Sequence, residues 1–349
     1  MNPVRSKENF AYADKMLLLV SRTFALNINV LSGDLKKAVL LAYLYLRIAD
    51  TVEDDPVLPA LQKEALLGLF AGVFKDGGYH ETALRDFLNA LPESWRTSAD
   101  PNYELCVNTE TVVSLLPLLP LKYVRPVSNV VQEMCGGMAK YALKQEARLA
   151  KGWFTLETVA ELDDYCYYVA GIVGKLLTEL FIVSAPAISE ERAAAMRKLD
   201  VSFGLSLQVT NIIKDIHEDA SRKVCFVPEA LCREFGIPHS PDLFSPGVPI
   251  EKKGKVMDAL IQKAWGHLKD ALDYTLRIPR RYARIRLFCL WPLFMAAENL
   301  RVIGKGENLF LSEQKLKISR VAVKKIIRKT MLHFYSDSWL RREFLRMRA

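Results

Sequence analysis

One predicted helix, residues 203–222, has a polar face made of residue types that bind divalent cations. Its apolar residues recur at helical spacing and form a single stripe, which leaves the opposite face polar. The polar face consists of Gln208, Asn211, Asp215, Glu218, Asp219 and Arg222. Neighbouring carboxylates and amides are oxygen ligands of the kind that Mg²⁺ takes, together with waters and substrate phosphates. Taken alone, the same face also fits a solvated acidic patch.

A second acidic stretch repeats this spacing early in the chain. Asp50, Glu53 and Asp54 follow an i, i+3, i+4 pattern after a segment, residues 38–46, that is apolar on nearly every side. Carboxylates at the end of a buried helix are costly unless they are paired or bind a metal. Two such helices facing each other would form a pocket with acid groups on two walls and hydrocarbon on the others. Such a pocket suits a ligand with a diphosphate head and an apolar tail.

Composition is that of a globular protein with a large core. Half of the 349 residues are apolar, and the chain shows no low-complexity tract and no repeat beyond the two acidic stretches. From length alone, one domain and two both remain open. The six cysteines lack CxxC spacing and nearby histidines, so neither zinc nor a disulfide framework is expected. This cysteine usage favours a reducing, cytoplasmic location.

Targeting and membrane signals are weak. The N-terminal residues MNPVRSKENFAYADK carry charges where a signal peptide needs its apolar run. The longest apolar runs, residues 112–121 and 287–297, contain proline and are shorter than the ~20 residues that span a bilayer. We therefore expect no signal peptide and no transmembrane anchor, and at most a peripheral contact with a membrane.

The net charge of +8 is concentrated in the basic C-terminal segment, residues 315–349. This segment holds eleven Lys or Arg against two acidic residues, so the rest of the chain is close to neutral. A basic surface can meet nucleic acid, anionic lipid or a phosphate-bearing ligand, or it can simply be solvated. Because no nucleic-acid-binding motif is present, we expect no nucleic-acid partner.

The pattern along the chain predicts helices joined by short loops, and hence an all-α fold. Ser32 and Asp34 are suited to cap the helix that carries the first acidic stretch. The other predicted helices cover residues 58–74, 128–151, 155–184 and 203–222, and regions around 288–297 and 321–334. Gly136 and Gly137, within the helix at 128–151, are expected to let a neighbour or ligand approach closely. No strand alternation of any length competes with this interpretation.

Other chemistries lack their motifs. The sequence has no GxGxxG after a strand, and GIVGK at 171–175 is too short for a phosphate-binding loop. The five histidines show neither triad nor HExxH spacing, and His217 is expected to face away from the carboxylates beside it. We interpret Asp163 and Asp164 as surface or helix-start charges and not as a third metal site.

Five motifs together resemble the squalene/phytoene synthase family. They are SRTFALNI (21–28), YLYLRIADTVEDD (43–55), DDYCYYVAGIVG (163–174), FGLSLQVTNIIKDIHED (203–219) and FCLWPLFMA (288–296). Their order and approximate spacing are those of this family of head-to-head prenyl-diphosphate synthases. In detail, QVTNIIKDIHED and FCLWP are nearer to its squalene synthases than to its phytoene synthases. The resemblance implies a single-domain helical bundle over residues 1–349, around a central apolar cavity.

The resemblance also implies roles for individual residues. Mg²⁺ ligands are implied at Asp50, Glu53, Asp54, Asp215, Glu218 and Asp219, and substrate-binding positions at Arg22, Phe24, Tyr43, Arg47, Gln208, Asn211 and Phe288. Contacts to NADPH are implied at Arg22, Arg47, Lys214, Lys315 and Lys317. One departure concerns the residues after Asp219, where the family usually has Gly-Arg before its Pro and this chain has Arg222-Lys223-Val224. The phosphate contact of that loop therefore stays open.

The chemistry expected of such a site is ionisation of a diphosphate. Metal ions and arginines neutralise the leaving group, and aromatic faces shield the carbocation that remains. Phe24, Tyr43, Tyr165 and Phe288 are the aromatic candidates, although each also fits plain core packing. Because no His or Cys is placed for proton transfer, Tyr165 is the acid/base candidate. The expected catalytic set is Tyr165, Asp50, Asp54, Asp215 and Asp219.

The function expected from this resemblance is that of a squalene synthase. Two farnesyl diphosphates would condense to presqualene diphosphate with Mg²⁺, and NADPH would reduce it to squalene. One alternative is a dehydrosqualene- or phytoene-type synthase that needs no reductant. Another is a family member without catalysis that acts as a scaffold, against which the six intact carboxylates argue. We expect a cytoplasmic monomer.

Overall fold

Helices make up almost all regular structure in the computed structural model, which describes residues 3–311 and 318–349. Among these residues the exceptions are two strands of two residues each, β1 (Phe154–Thr155) and β2 (Val224–Cys225), paired in parallel. The predicted all-α fold is therefore confirmed. Lys315 and Lys317, predicted to contact NADPH, lie outside the described residues.

The N-terminal part of the chain forms a series of α-helices, the last of which is 29 residues long. In chain order they are α1 Pro3–Val20, α2 Arg22–Val30, α3 Gly33–Asp54, α4 Ala60–Gly72, α5 Glu81–Ala90, α6 Glu93–Arg96, α7 Pro101–Val107, α8 Thr109–Val113 and α9 Leu121–Leu149. Helix α9 begins before the predicted start at residue 128 and contains Pro126 in its second turn. The proline therefore lies within the helix and does not mark its beginning.

The remaining helices follow β1. In chain order they are α10 Val159–Cys166, α11 Ile172–Ser184, α12 Glu190–Arg197, α13 Asp200–Lys214, α14 Ile216–Ser221, α15 Glu229–Glu234, α16 Ile250–Arg277, α17 Ala283–Ile303, α18 Asn308–Leu311, α19 Arg320–His333 and α20 Asp337–Arg348. A π-helical turn, Tyr167–Gly171, joins α10 to α11. Helices α13 and α14 together occupy the predicted helix at 203–222.

The chain divides into two compact units. The first comprises Met1–Lys144 with Leu176–Pro186, and the second comprises Gln145–Lys175 with Ala187–Ala349. The prediction of a single domain over residues 1–349, with its basic segment at 315–349, stays a prediction.

Helix α3 lies in the core of the first unit. Its residues from Leu35 to Val52 are mostly buried on all sides, as the apolar run at 38–46 predicts. The hydroxyl of buried Tyr45 donates to the carbonyl of Val112 at 2.9 Å, and its ring packs 5.0 Å from that of Phe74. Contrary to the prediction, the side chain of Ser32 makes no capping hydrogen bond. Burial along its length, and not a side-chain cap, therefore holds this helix.

Helix α13 makes unusually close backbone contacts in the second unit. A Cβ atom on Gly204 would lie 2.1 Å from the carbonyl oxygen of Ala170, in the π-helical turn. Reciprocally, a Cβ on Gly174 would lie 1.9 Å from the carbonyl oxygen of Asp200, at the start of α13. Backbone carbonyls cannot move aside as a flexible side chain can. Glycine is therefore required at both positions for this approach.

One stretch of the described chain, Val159–Ser184, is long and apolar enough to span a membrane by length and composition. Half of its most apolar window is buried inside the protein. A core helix of a soluble protein meets the same criteria, so this is weak evidence for a membrane span. This stretch was not predicted from the sequence, where the proline-containing runs at 112–121 and 287–297 were the longest apolar ones.

We predict that Gly204→Ala destabilises the protein while Gly136→Ala does not. The methyl group that alanine introduces at position 204 would meet a backbone carbonyl. Such overpacking costs about 1–3 kcal/mol or more. A Cβ on Gly136, in exposed helix surface, has no protein atom within 4 Å. Alanine at that position should add about 0.5–1 kcal/mol through its higher helix propensity. Urea unfolding of both variants measures the difference, and equal stability would contradict the close helix contact.

Candidate active site

The first acidic cluster lies at the C-terminal end of α3, where its carboxylates leave the core. Arg47 donates to Asp50 Oδ2 at 2.6 Å and to the hydroxyl of Tyr43 at 3.2 Å. The ring of Tyr43 lies 5.2 Å from that of Phe24, which is 41% exposed on α2. Successive turns of one helix thus align an aromatic face, a guanidinium group and a carboxylate.

Burial and crowding shift the acids of this cluster towards protonation. Burial raises the pKa of Asp50 to about 6, with a further contribution from Asp54 that Arg47 opposes. Burial, with repulsion from Asp54 and Asp50, raises the pKa of Glu53 to about 8. A nearby cation would favour the ionised carboxylates and reverse both shifts. The cluster therefore gains most from a positively charged ligand.

Asp55, directly after this cluster, anchors the end of α3. One of its oxygens accepts the backbone N–H groups of Val57 and Leu58, both at 2.8 Å. The other accepts from Trp95 Nε1 at 3.0 Å and from the Tyr103 hydroxyl at 2.8 Å. These bonds lower the pKa of buried Asp55, although burial acts in the opposite direction. Asp55 therefore fixes the chain immediately after the acidic residues.

The second acidic cluster lies where α13 meets α14. The predicted helix at 203–222 is interrupted at Asp215, whose backbone angles are φ −100° and ψ 10°. Its N–H still donates to the carbonyl of Asn211 at 2.8 Å, and its carbonyl accepts from the N–H of Asp219 at 3.0 Å. Asp215 and Asp219 therefore remain one turn apart despite the irregular residue. Lys214 lies 3.4 Å from Asp215 and donates to the side-chain oxygen of Asn211 at 2.9 Å.

Asp219 is paired with the arginine that follows it. Arg222 donates to Asp219 Oδ1 at 2.6 Å, and the Arg222 side chain remains largely exposed while Asp219 is buried. Burial raises the pKa of Asp219, Asp215 and Glu218 add to the rise, and Arg222 opposes it. Both clusters thus hold an Asp with an Arg three residues away, after it in one cluster and before it in the other.

The loop after α14 is held by the strand pair. Lys223 adopts φ 59°, a left-handed conformation that favours glycine, at the place where the sequence departs from the family pattern. Its carbonyl accepts from the N–H of Phe154 at 2.9 Å, and β1 then pairs with β2 through Phe154 opposite Val224. The loop after Asp219 is therefore fixed to the segment that precedes α10.

Tyr165 on α10 stacks on an aromatic residue that the sequence analysis did not select. Its ring lies 4.7 Å from that of Phe226, with 22° between the planes. Phe226 directly follows β2, so the strand pair positions it. In the sequence, its place shortly after the second acidic stretch was the available signal. The two rings are therefore held face to face in the second unit.

The structure places the predicted residues in two groups, one in each unit. The first contains Arg22, Phe24, Tyr43, Arg47, Asp50, Glu53 and Asp54, and the second contains Tyr165, Gln208, Asn211, Lys214, Asp215, Glu218, Asp219 and Phe288. Within the second group, Phe288 is buried on α17, Gln208 is half-buried and Asn211 is exposed. That the two groups face each other stays a prediction.

Two side chains set aside in the sequence analysis have other partners. His217 Nε2 lies 2.6 Å from the carbonyl oxygen of Leu309, consistent with its predicted orientation away from the acids. Asp163 forms an ion pair with Lys263 at 2.8 Å, from within α10 and not from its first turn. Neither residue belongs to an acidic cluster.

The acidic clusters fit a hard cation by their donor chemistry. Within the described ranges, no three His, Cys, Asp or Glu side chains converge as a complete metal site. Mg²⁺, however, is usually held by one or two carboxylates together with substrate phosphates and waters. The donors present are oxygens, and the pKa values of Asp50, Glu53 and Asp219 are raised by burial and by neighbouring acids. These residues therefore fit Mg²⁺ by donor type and by charge.

Comparisons with a family profile and with individual proteins identify the same family. The profile of the family described as squalene/phytoene synthase matches residues 18–322. A squalene synthase of Schizosaccharomyces pombe is 30% identical over 339 residues, which cover 96% of this chain and 68% of that protein. A probable squalene synthase of Neurospora crassa is 31% identical over 322 residues, covering 91% of this chain and 61% of that protein. The chain therefore spans 61% to 68% of the length of these relatives.

A solved structure shares the fold. The complex of TcSQS with the ligand BPH1237 matches with a TM-score of 0.78 and 25% identity, covering 97% of this chain and 91% of that chain. The match extends over both the units described above. The all-helical fold and the family resemblance predicted from the sequence are thus confirmed.

We predict that Asp55→Asn destabilises the protein by about 1.5–3 kcal/mol at neutral pH, the range for hydrogen bonds to a charged group. Because folding lowers the pKa of Asp55, its contribution is complete above the unfolded value near 4 and is lost as the pH falls through the folded value. The stability difference from the wild type should therefore narrow below about pH 4. Urea unfolding across pH measures this, with exposed Asp86→Asn as the control. If the difference in the free energy of unfolding between wild type and Asp55→Asn did not change with pH, the anchoring role of the Asp55 charge would be contradicted.

Proposed function

Because the chain belongs to the squalene/phytoene synthase family, we propose that it acts as a squalene synthase. Curated squalene synthases are about 30% identical over most of its length, which supports this branch of the family. The structural observation that carries the proposal is the pair of acidic clusters, each with an aspartate held at 2.6 Å by an arginine. Clusters of this kind suit the two diphosphate groups of two substrates.

The proposed reaction joins two molecules of farnesyl diphosphate. In the first step one substrate loses diphosphate, its allylic carbon bonds to the other, and a proton leaves, which gives presqualene diphosphate. In the second step presqualene diphosphate loses its diphosphate and rearranges. NADPH then donates hydride, which yields squalene and NADP⁺.

Neutralisation of the departing diphosphate is the main task assigned to the clusters. Asp50, Glu53 and Asp54 in one unit and Asp215, Glu218 and Asp219 in the other would hold Mg²⁺. When bound, Mg²⁺ would supply positive charge to the leaving oxygens. Arg22, Arg47 and Tyr43 would bind phosphate directly. Because Arg47 already contacts Asp50 and Tyr43, it is held in place before the substrate arrives, which limits the reorganisation needed during reaction.

Aromatic side chains would stabilise the carbocation that the leaving group leaves behind. Phe24 and Tyr43 form one tilted pair, and Tyr165 stacks on Phe226 in another. An aromatic face near a cation contributes about 0.5–2 kcal/mol, more where water is excluded. Phe288, Gln208 and Asn211 would complete the wall of an apolar cavity. Tyr165 would accept or return the substrate proton.

The reductant would be held by cationic side chains. Arg22, Arg47 and Lys214 are the described candidates for the phosphates of NADPH. Lys214 already donates to Asn211 and pairs with Asp215, which holds its ammonium group beside the second cluster. Lys315 and Lys317 remain candidates from the sequence alone.

We extend the proposal to a cytoplasmic, monomeric enzyme that contacts membranes peripherally. Exposed apolar residues accompany the basic side chains of α19 and α20, among them Val321, Met331, Leu332 and Leu345. Apolar and cationic groups together favour an anionic lipid surface. The reaction itself gives a reason, since its product is a hydrocarbon.

We predict that Asp50→Asn and Asp219→Asn each reduce turnover of farnesyl diphosphate at saturating Mg²⁺ by at least about a hundredfold, comparable to the loss of one oxyanion donor. The exposed Asp86→Asn variant, on α5, should keep wild-type turnover. Thermal unfolding of each variant shows whether the fold is retained. Full turnover by either folded cluster variant would overturn the assignment of its carboxylate.

Product analysis distinguishes the proposal from its alternatives. With farnesyl diphosphate, Mg²⁺ and NADPH, mass spectrometry should detect squalene, with NADPH consumed in equal amount. Without NADPH, presqualene diphosphate or unreduced products should accumulate. Formation of dehydrosqualene in the presence of NADPH, with no NADPH consumed, would indicate the carotenoid-type alternative. No product under either condition, from folded protein, would indicate a non-catalytic role.

A further inference from the structure

A small cavity lies among α17, α19 and α20, in the second unit and remote in sequence from both acidic clusters. Its volume is about 180 Å³. Each helix contributes residues at i, i+3 or i+4 and i+7 spacing, so each turns one face towards it. The lining residues are Phe294, Glu298 and Arg301 on α17, Ala322, Lys325, Ile326, Lys329 and Thr330 on α19, and Trp339, Glu343, Arg346 and Met347 on α20.

The charges that line this cavity do not balance. Four cationic side chains accompany two acidic ones, Glu298 and Glu343. Both acids have little exposed surface, at 13% and 9% of their side chains. The lining therefore has two positive charges in excess. Because the cavity is small, these charges lie close to one another.

Both carboxylates already have strong partners. Arg301 binds Glu298 through two bonds, at 2.7 and 2.8 Å, and Arg346 binds Glu343 through two bonds at 2.9 Å. Lys329 adds a third bond to Glu343 at 2.9 Å. Bonding by Arg346 and Lys329 lowers the pKa of Glu343 to about 2, against the effect of burial. Both acids therefore remain ionised and satisfied, and they offer little to a further cation.

One of the two excess positive charges belongs to Lys325, an exposed residue, and the other arises because Lys329 and Arg346 share Glu343. In residues 3–311 and 318–349, Lys325 makes no ion pair, although it is close enough to lower the pKa of Glu298 together with Arg301 and Arg346. Hydrogen bonding to Glu343 raises the pKa of Arg346, while Arg301 acts in the opposite direction, as expected for neighbouring cations. An anion bound among Lys325, Arg301 and Arg346 would relieve this repulsion.

The rest of the lining is apolar. Phe294, Ile326 and Met347 are buried, and the ring of Trp339 packs edge-on against His333 at 4.3 Å. As a guide to size, an entirely apolar cavity of about 150 Å³ holds a molecule such as benzene. Pockets for larger organic ligands measure about 300–1,000 Å³. The space therefore excludes a dinucleotide or a whole prenyl diphosphate, and fits a small head group with a few carbon atoms.

We propose that this cavity binds a small amphiphilic anion, with a phosphate or carboxylate head on Lys325, Arg301 and Arg346 and a short apolar part against Phe294, Ile326 and Met347. The ligand is either a free small molecule or the head group of an anionic lipid. The site is distinct from the two acidic clusters and takes the opposite charge. Its occupancy is independent of the proposed catalytic activity.

Calorimetric titration of the full-length protein with hexyl phosphate tests this proposal, with hexanol and inorganic phosphate as the apolar and the anionic part alone. We expect saturable binding of hexyl phosphate, weaker binding of phosphate and none of hexanol. Lys325→Glu should raise the Kd for hexyl phosphate at least about tenfold, a change of about 1.4 kcal/mol. Lys324→Glu makes the same charge change at an exposed neighbour that does not line the cavity, and should leave Kd within about twofold. Ala322→Leu reduces the space without altering charge and should also weaken binding.

Sedimentation with vesicles of phosphatidylserine and phosphatidylcholine separates the two sources of ligand. Association that Lys325→Glu weakens more than Lys324→Glu does supports a lipid head group in the cavity. Binding of hexyl phosphate with vesicle association equal in both variants supports a free small molecule. Equal loss of hexyl phosphate binding in the two variants, or no saturable binding of any probe, would overturn the proposal.

Discussion

Partly buried carboxylates beside other carboxylates are the constraint on which both candidate clusters depend. Asp50 follows the buried length of α3, and Asp219 is itself buried on α14, so water solvates their charges poorly. One arginine contact at 2.6 Å offsets part of that cost in each case. The part of this cost that is not offset raises the pKa values of Asp50 and Asp219. An added cation would reverse these shifts. The clusters are thus stable enough to persist and remain able to gain from magnesium and phosphate.

The features predicted correctly from the sequence are those that local periodicity determines. The apolar run at 38–46 predicted a helix buried on most sides, and α3 is one. The i, i+3, i+4 spacing predicted acids on one helical face, and the hydrogen bonds around Asp215 preserve that spacing. Five motifs in order predicted the family because their spacing follows the same succession of helices. Periodic patterns report which side of a helix faces the core, so they suffice for these features.

The features missed depend on contacts between residues distant in sequence. Asp55 looked like one more acid in the first motif, but its partners Trp95 and Tyr103 lie 40 and 48 residues further along. Phe226 matters through its stacking on Tyr165, and a short parallel strand pair that no alternation signalled positions it. The close backbone approaches at Gly204 and Gly174 were not predicted from the sequence. Glycine composition cannot tell which of these positions meets another backbone.

The reciprocal glycine contact of α13 also restricts how that helix can move along its own axis. Sliding α13 by one residue would shift it about 1.5 Å and rotate its side chains by about 100°, bringing a Cβ atom against a carbonyl oxygen. Asp215 lies eleven residues beyond Gly204, about 16 Å along the helix. The interlocked backbones therefore set both the depth and the rotational angle at which the distant acidic residue is presented. Gly204 and Gly174, which have no side chains, thereby determine the alignment of the second cluster.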